Sequence, residues 1–458
     1  MTSQETASRT GRLAMLGGER SVPREQRIGQ WPRVTEQDEA AVQRALASGR
    51  FTSASAGEEE IGALEREWAE FVGTRRCIAV SNGTAALSVA LGAVGVRPGD
   101  EVIVPALSFV ATAMAPMHLL AVPVFVDVDP VSYNLDARAV EAAITARTRA
   151  VVVVHLHGLP ADMTELREVA GRHGIALVED AAQAHGAVYR GRQVGGLGDV
   201  ASFSLNVSKN LATCGEGGLV TTDDVRAADR ARMLRQFGES IPDKSERSYV
   251  SHVLGWNHKP NSLQAAFTRS QLTRFPEEFR RRDENVRRFL GRIAELPGLT
   301  PPQPPGDRTH AWHILRVRVD TAAFGLPDTM TGPLRAAVQR ALRAEGVPAA
   351  PYQLMPLPAQ PAFRYGRGFG DHPWPSRLPQ YDPTAFPHTL RVLEETFTIQ
   401  KAHLHPDAGP LLERYADAFE KVWEHRALVR DYAAGLRYAP PWEQAERIAR
   451  QEWTAVSR

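Results

Sequence analysis

The sequence predicts an α/β protein, with a large domain on a mostly parallel sheet and a smaller C-terminal α+β domain. Three observations carry this. From about residue 58 helix-like and strand-like segments alternate, the signature of a layered α/β fold. The run Ala150–Val154 is a continuous apolar, β-branched stretch, as a strand covered on both faces requires. After about Phe275 the pattern changes to a charged helix followed by a Pro-rich stretch.

Taken in order, residues 1–57 read as an N-terminal arm and helix, and 58–275 as the large domain. Glu58 to Val72 is amphipathic and helical, and Asn82-Gly83-Thr84 opens a second helix running towards Val94. Pro98-Gly99-Asp100 turns the chain into the strand Glu101–Pro105, and Val122–Val126 is the next strand. Ala150–Val154, Ile175–Val178, Ala201–Ser204 and Gly218–Thr221 follow as further strands. Helices between such strands imply right-handed crossovers and a ligand site beyond the strands' carboxyl ends. Residues 276–425 read as the smaller domain, with a Pro-rich linker at Pro301–Pro305, a strand at Ile314–Val319 and a helix at Leu334–Glu345. Met355–Pro387 is rich in proline and aromatics, and 426–458 reads as a polar, Arg-rich tail.

Composition bounds the function. The 458 residues are too many for one small core, and 43% hydrophobic with 23% charged is a globular balance. With 54 basic and 53 acidic residues the net charge is +1, which supplies no field for nucleic acid or an anionic membrane. Cys77 and Cys214 are too few for a disulfide framework, and no Cys/His cluster suggests a metal. No stretch approaches the ~20 apolar residues of a membrane span. A cytoplasmic location is expected.

The chemistry centres on Lys209, in the stretch Phe203-Ser204-Leu205-Asn206-Val207-Ser208-Lys209-Asn210, with Gly215-Glu216-Gly217-Gly218 beyond it. Lys209 stands five positions after Ser204 and 29 after Asp180, the second acid in Glu179-Asp180-Ala181-Ala182-Gln183. A lysine amine, a strand-end carboxylate and several hydroxyl or amide donors are what pyridoxal phosphate needs: the lysine forms the Schiff base and the carboxylate pairs with the ring nitrogen. Each residue also has a plainer reading. Asp180 alone suits a helix cap, and Gln183 reads either as a donor to the phenolic oxygen or as part of a polar loop. Gly83-Thr84 is either a phosphate cradle at a helix start or an ordinary cap. Phe109 reads as a ring-stacking residue or as core. His155, His157 and His185 read as structural histidines.

The ordered set of motifs resembles the DegT/DnrJ/EryC1/StrS aminotransferases, which are fold-type I pyridoxal phosphate enzymes. It comprises Ser81-Asn82-Gly83-Thr84-Ala85-Ala86-Leu87, Pro98 to Pro105, Glu179 to Gly186, Gly198-Asp199, Lys209-Asn210 and Gly215 to Gly218. The resemblance implies a seven-stranded sheet, Lys209 as Schiff-base lysine and proton carrier, and Asp180 on the pyridinium. It places Gln183 at the phenolic oxygen, Phe109 on the ring, and Gly83, Thr84 and Ser204 on the phosphate. The segment Gly255-Trp256-Asn257-His258-Lys259 is similar to one that enters a neighbouring subunit's site. That implies Asn257 as a phosphate ligand in trans and a homodimer with composite sites.

Family members with histidine at the lysine position act as dehydratases, so Lys209 implies transamination. Leu13 to Gly18, Trp31-Pro32 and Lys401 to Pro406 look like the inosose and aminohydroxybenzoate synthase branch. That branch implies a keto-cyclitol or keto-sugar acceptor with glutamine or glutamate as donor. The alternatives are a nucleotide-linked 4-keto-sugar acceptor, or dehydration or condensation chemistry. Pro260 and Pro358 depart from the family pattern where acceptor recognition is expected.

Overall fold

The computed structural model describes residues 11–240 and 249–456, apart from 27, 54, 56, 366, 369 and 372–381. The first ten positions of the predicted arm, the middle of the Met355–Pro387 stretch and the last two residues of the tail lie outside the described residues. Seven strands form the main sheet: β1 (Arg76–Val80), β2 (Glu101–Pro105), β3 (Val122–Val126), β4 (Thr148–Val154), β5 (Ala176–Asp180), β6 (Val200–Ser204) and β7 (Gly218–Thr222). Their spatial order is β1-β7-β6-β5-β4-β2-β3. The pairs from β6 to β3 are parallel, and β7 runs antiparallel to both β1 and β6. The mostly parallel seven-stranded sheet is the one expected.

Why these residues make this sheet is visible in the alternation along each strand. Val151 and Val153 face one core with Ala79, Ile103, Leu177 and Phe203, whereas Val152 and Val154 face the other with Val80, Val104, Val178 and Val220. Successive side chains point to opposite faces, so a sheet buried on both sides needs unbroken apolar strands. The helix Gly83–Ala93 covers the second face and is buried from Ala85 to Ala93, which explains its lack of a polar side.

A 32-residue helix, Ser262–Ile293, leaves the large sheet and runs on into the second half of the chain, and Phe275 lies inside it. There a three-stranded antiparallel sheet, Leu299–Thr300, Ile314–Val319 and Thr396–Gln400, packs with the helices Thr331–Glu345 and Gly409–Glu424. The start of the N-terminal arm belongs to this core, whereas the arm's helix Glu36–Ala47 packs through Ala41 and Ala45 on Ala266 of the long helix. Leu13 and Val22 are buried in the second core, and Glu345 accepts from the Ala14 and Ser21 amides at 2.7 and 3.0 Å. Beyond residue 425 the described residues form two helices. Arg426–Ala434 buries Val429 and Ala433 in the second core, and Pro441–Val456 returns to the large sheet, where Trp442 packs.

Candidate active site

The carboxyl ends of β5 and β6 deliver Asp180 and Ser204 to one end of the sheet, and the turn after β6 brings Lys209 to the same cavity. That cavity measures about 470 Å³, and Gly83, Thr84, Phe109, Asp180, Gln183, Ser204 and Lys209 all line it. Of the residues singled out from the sequence, Asn257 is not in its lining. Asn257 is exposed, bridges to Gln236 and accepts a hydrogen bond from Lys259.

Local chemistry explains each placement. Gly83 starts its helix hard against Ser204: a Cβ there would lie 2.5 Å from the Ser204 Cβ. Only glycine lets the first-turn amides come this close to the Ser204 hydroxyl, an arrangement of donors suited to an anion. Asn82 caps the same helix by accepting from the Ala85 amide at 2.8 Å, so the cap and the cradle are one structure.

Asp180 is buried, and its Oδ2 accepts from Thr112 Oγ1 at 2.9 Å. Ser108 bonds Thr112 in turn at 2.8 Å, which fixes the carboxylate's orientation. Burial pushes the Asp180 carboxyl up, opposed by Thr112, the Ala182 amide and the charge of Lys209. Burial likewise pushes the Lys209 amine down, opposed by Asp180 and Glu216. The lowered amine loses its proton more readily and is the better nucleophile towards a carbonyl carbon. The buried carboxylate is a ready partner for a cationic ring nitrogen.

Gln183 Oε1 accepts from the His157 amide at 2.7 Å, so the Gln183 NH₂ is the donor end of that side chain, within reach of the Tyr352 hydroxyl. Phe109 sits at the rim with 55% of its surface exposed, an apolar face presented to the cavity. His155 is structural: its Nδ1 accepts from the Ala161 amide at 3.1 Å, so its Nε2–H donates to Glu179 at 3.0 Å. Glu179 also accepts from the amides of Gly195, Leu197 and Gly198 and holds the loop after β5. The acidic partner of His155, not visible in the sequence, is therefore the residue beside Asp180.

Sequence reasoning missed Thr112, His313 and Tyr352. All three are in contact with the site or line it. The four-residue spacing of Ser108 and Thr112 after a strand end was the one local signal; His313 and Tyr352 arrive from the second half of the chain with none.

The profile of the DegT/DnrJ/EryC1/StrS aminotransferase family matches residues 32–389. An L-glutamine:2-deoxy-scyllo-inosose aminotransferase of Streptomyces fradiae is 38% identical over 437 residues, covering 91% of this chain and 98% of its own. A dTDP-3-amino-3,4,6-trideoxy-alpha-D-glucose transaminase of Streptomyces venezuelae is 37% identical, over 76% of this chain and 84% of its own. The crystal structure of a 3-amino-5-hydroxybenzoic acid synthase superposes with a TM-score of 0.75 at 30% identity, covering 90% of this chain and 99% of that one.

Proposed function

The chain belongs to the DegT/DnrJ/EryC1/StrS aminotransferase family, and from that premise we propose that it moves the amino group of L-glutamine onto a neutral keto-cyclitol, with pyridoxal phosphate as cofactor. It is a transaminase for a keto-cyclitol or keto-sugar. The observation that carries the cofactor is the donor set in one cavity. Lysine amine, buried carboxylate, amide donor, apolar rim and a cradle that a single Cβ would fill correspond one to one with the parts of pyridoxal phosphate.

Bound there, the cofactor supplies a carbonyl carbon that carries the amino group and a conjugated ring that spreads negative charge. Everything else falls to this chain. Gly83, Thr84 and Ser204 hold the phosphate; Asp180, kept in place by Thr112, keeps the ring nitrogen protonated. The Gln183 amide donates to the phenolic oxygen, and Phe109 covers one ring face. Lys209 Nζ takes the proton from the donor's α-carbon and delivers it to the carbon that receives nitrogen, then reverses the transfer for the acceptor. In sum the donor leaves as its 2-keto acid and the ketone leaves as an amine, with no oxidant consumed. Asn257 serves the site of a second copy, which makes the working unit a homodimer.

The cyclitol reading is supported by near-complete mutual coverage with the inosose aminotransferase, against 76% and 84% for the nucleotide-sugar enzyme at similar identity. The nucleotide-sugar reading rests on that second likeness. An assay offering 2-deoxy-scyllo-inosose and a dTDP-linked keto-sugar in competition, with L-glutamine as donor, separates them. An aminated cyclitol supports the proposal, and amination of the sugar nucleotide alone overturns it.

A further inference from the structure

A second groove, of about 440 Å³, adjoins the reactive cavity and shares Ser108, Phe109 and Tyr352 with it. Its outer wall is the C-terminal helix Pro441–Val456, through Ala445, Ile448 and Ala449. That helix is tied down from both sides: Glu446 pairs with Arg364 at 2.9 Å, and Trp442 packs against the core of the large sheet. Phe109, Leu354 and Ile448 are all large, apolar and exposed, and all three line this groove. Isolated exposed apolar side chains are ordinary, but several around one concavity mark a binding surface.

The groove also holds an oriented polar group. Arg316, fully sunk in the interior, donates from Nη2 to Gln353 Oε1 at 2.8 Å, so the Gln353 amide nitrogen is left as the donor. That nitrogen is buried and has no partner among the described residues, although Gln353 lines the groove. The same guanidinium donates from Nε to His157 Nε2 at 2.9 Å, and the His157 amide holds Gln183 Oε1. The arginine thereby fixes the Gln353 amide as a donor, while the His157 backbone N–H does the same for Gln183 beside the reactive cavity. A buried donor left unmatched calls for an acceptor from outside the chain. Among the described residues the groove lining carries no ionised side chain, so nothing there pairs with a phosphate or carboxylate.

We propose that this groove is an outer subsite for the acceptor, taking a neutral, largely apolar portion that extends past the ketone ring, with Ile448 as its apolar wall and Gln353 as its hydrogen-bond donor. The occupant is part of the acceptor because the groove adjoins the reactive cavity and shares Ser108, Phe109 and Tyr352 with it. The proposal rests on the transaminase reading of that cavity and makes the C-terminal helix a determinant of specificity.

Calorimetric titration of the cofactor-loaded protein tests it with three ketones: cyclohexanone, 4-oxocyclohexanecarboxylate and the anilide of the latter. The anilide adds a carbonyl oxygen and a phenyl ring, and is expected to bind at least roughly tenfold tighter than either smaller ketone. Ile448→Asp is expected to remove that gain, and Gln353→Leu to reduce it several-fold. Ile448 is half exposed, so an unchanged melting temperature checks that the variant is folded. Equal binding of all three ketones overturns the proposal, and is also what a groove covered by a second copy of the chain would give. A gain that survives Ile448→Asp overturns it too. Failure of the transaminase reading registers separately, as wild-type cofactor absorbance that does not respond to L-glutamine.

Discussion

Lys209 and Asp180 are each pushed towards neutrality by burial and pulled back by the other's charge. Thr112→Val removes one hydrogen bond from Asp180 without changing size much. It should raise the Asp180 pKa further and weaken cofactor affinity roughly tenfold, the value of one charge-assisted hydrogen bond, as read by absorbance titration. Gly83→Ala places a Cβ 2.5 Å from that of Ser204 and should cost at least about tenfold in the same titration. Glu179 is held below the ordinary carboxylate range: burial opposes this, and His155 with the Gly195 and Gly198 amides overcomes it. A depressed carboxyl stabilises the fold above its unfolded pKa and loses that contribution as pH falls through the folded value. Glu179→Gln should therefore lower the melting temperature at pH 7, by about 1–3 kcal/mol of stability, and the deficit should shrink below the ordinary carboxylate range. The principal site residues were legible because their motifs are local: a glycine at a helix start, an acid at a strand end, a lysine among small residues. Thr112 was not, since its partner lies 68 residues away.

At the scale of elements, β4 and its neighbours declared themselves through unbroken β-branched runs, which a doubly covered strand requires. The edge strand Arg76–Val80 did not: it is five residues long, opens on an exposed arginine, and owes its place to antiparallel pairing with Gly218–Thr222. Residues beyond 425 read as a polar tail because the apolar positions of its helices are spaced for one face only. Their function lies in what that face covers, which composition does not report. The helix Gly83–Ala93 offers an element-scale test. Asn82→Ala should cost about 1 kcal/mol in thermal unfolding through the lost cap, and should also weaken binding at the proposed phosphate cradle.

For the molecule as a whole, the parallel sheet sets the site at its carboxyl edge, and the second half of the chain closes it with His313 and Tyr352. If Asn257 serves a partner's site, mixing Lys209→Ala with Asn257→Ala chains should restore activity to about a quarter of wild type. Random pairing makes half the dimers mixed, each with one intact site of two; activity no higher than that of either variant alone would contradict composite sites. Lys209 is proposed to carry a proton between an amino donor and an acceptor on bound pyridoxal phosphate. The most direct measurement is the visible spectrum of the cofactor-loaded protein during titration with L-glutamine, for wild type and Lys209→Ala. Glutamine is expected to convert the wild-type visible band to the near-ultraviolet band of the aminated cofactor. Lys209→Ala is expected to slow this conversion by about 10²–10⁴-fold. A wild-type spectrum that ignores glutamine, glutamate and alanine alike, or a variant that converts as fast as wild type, would contradict that role.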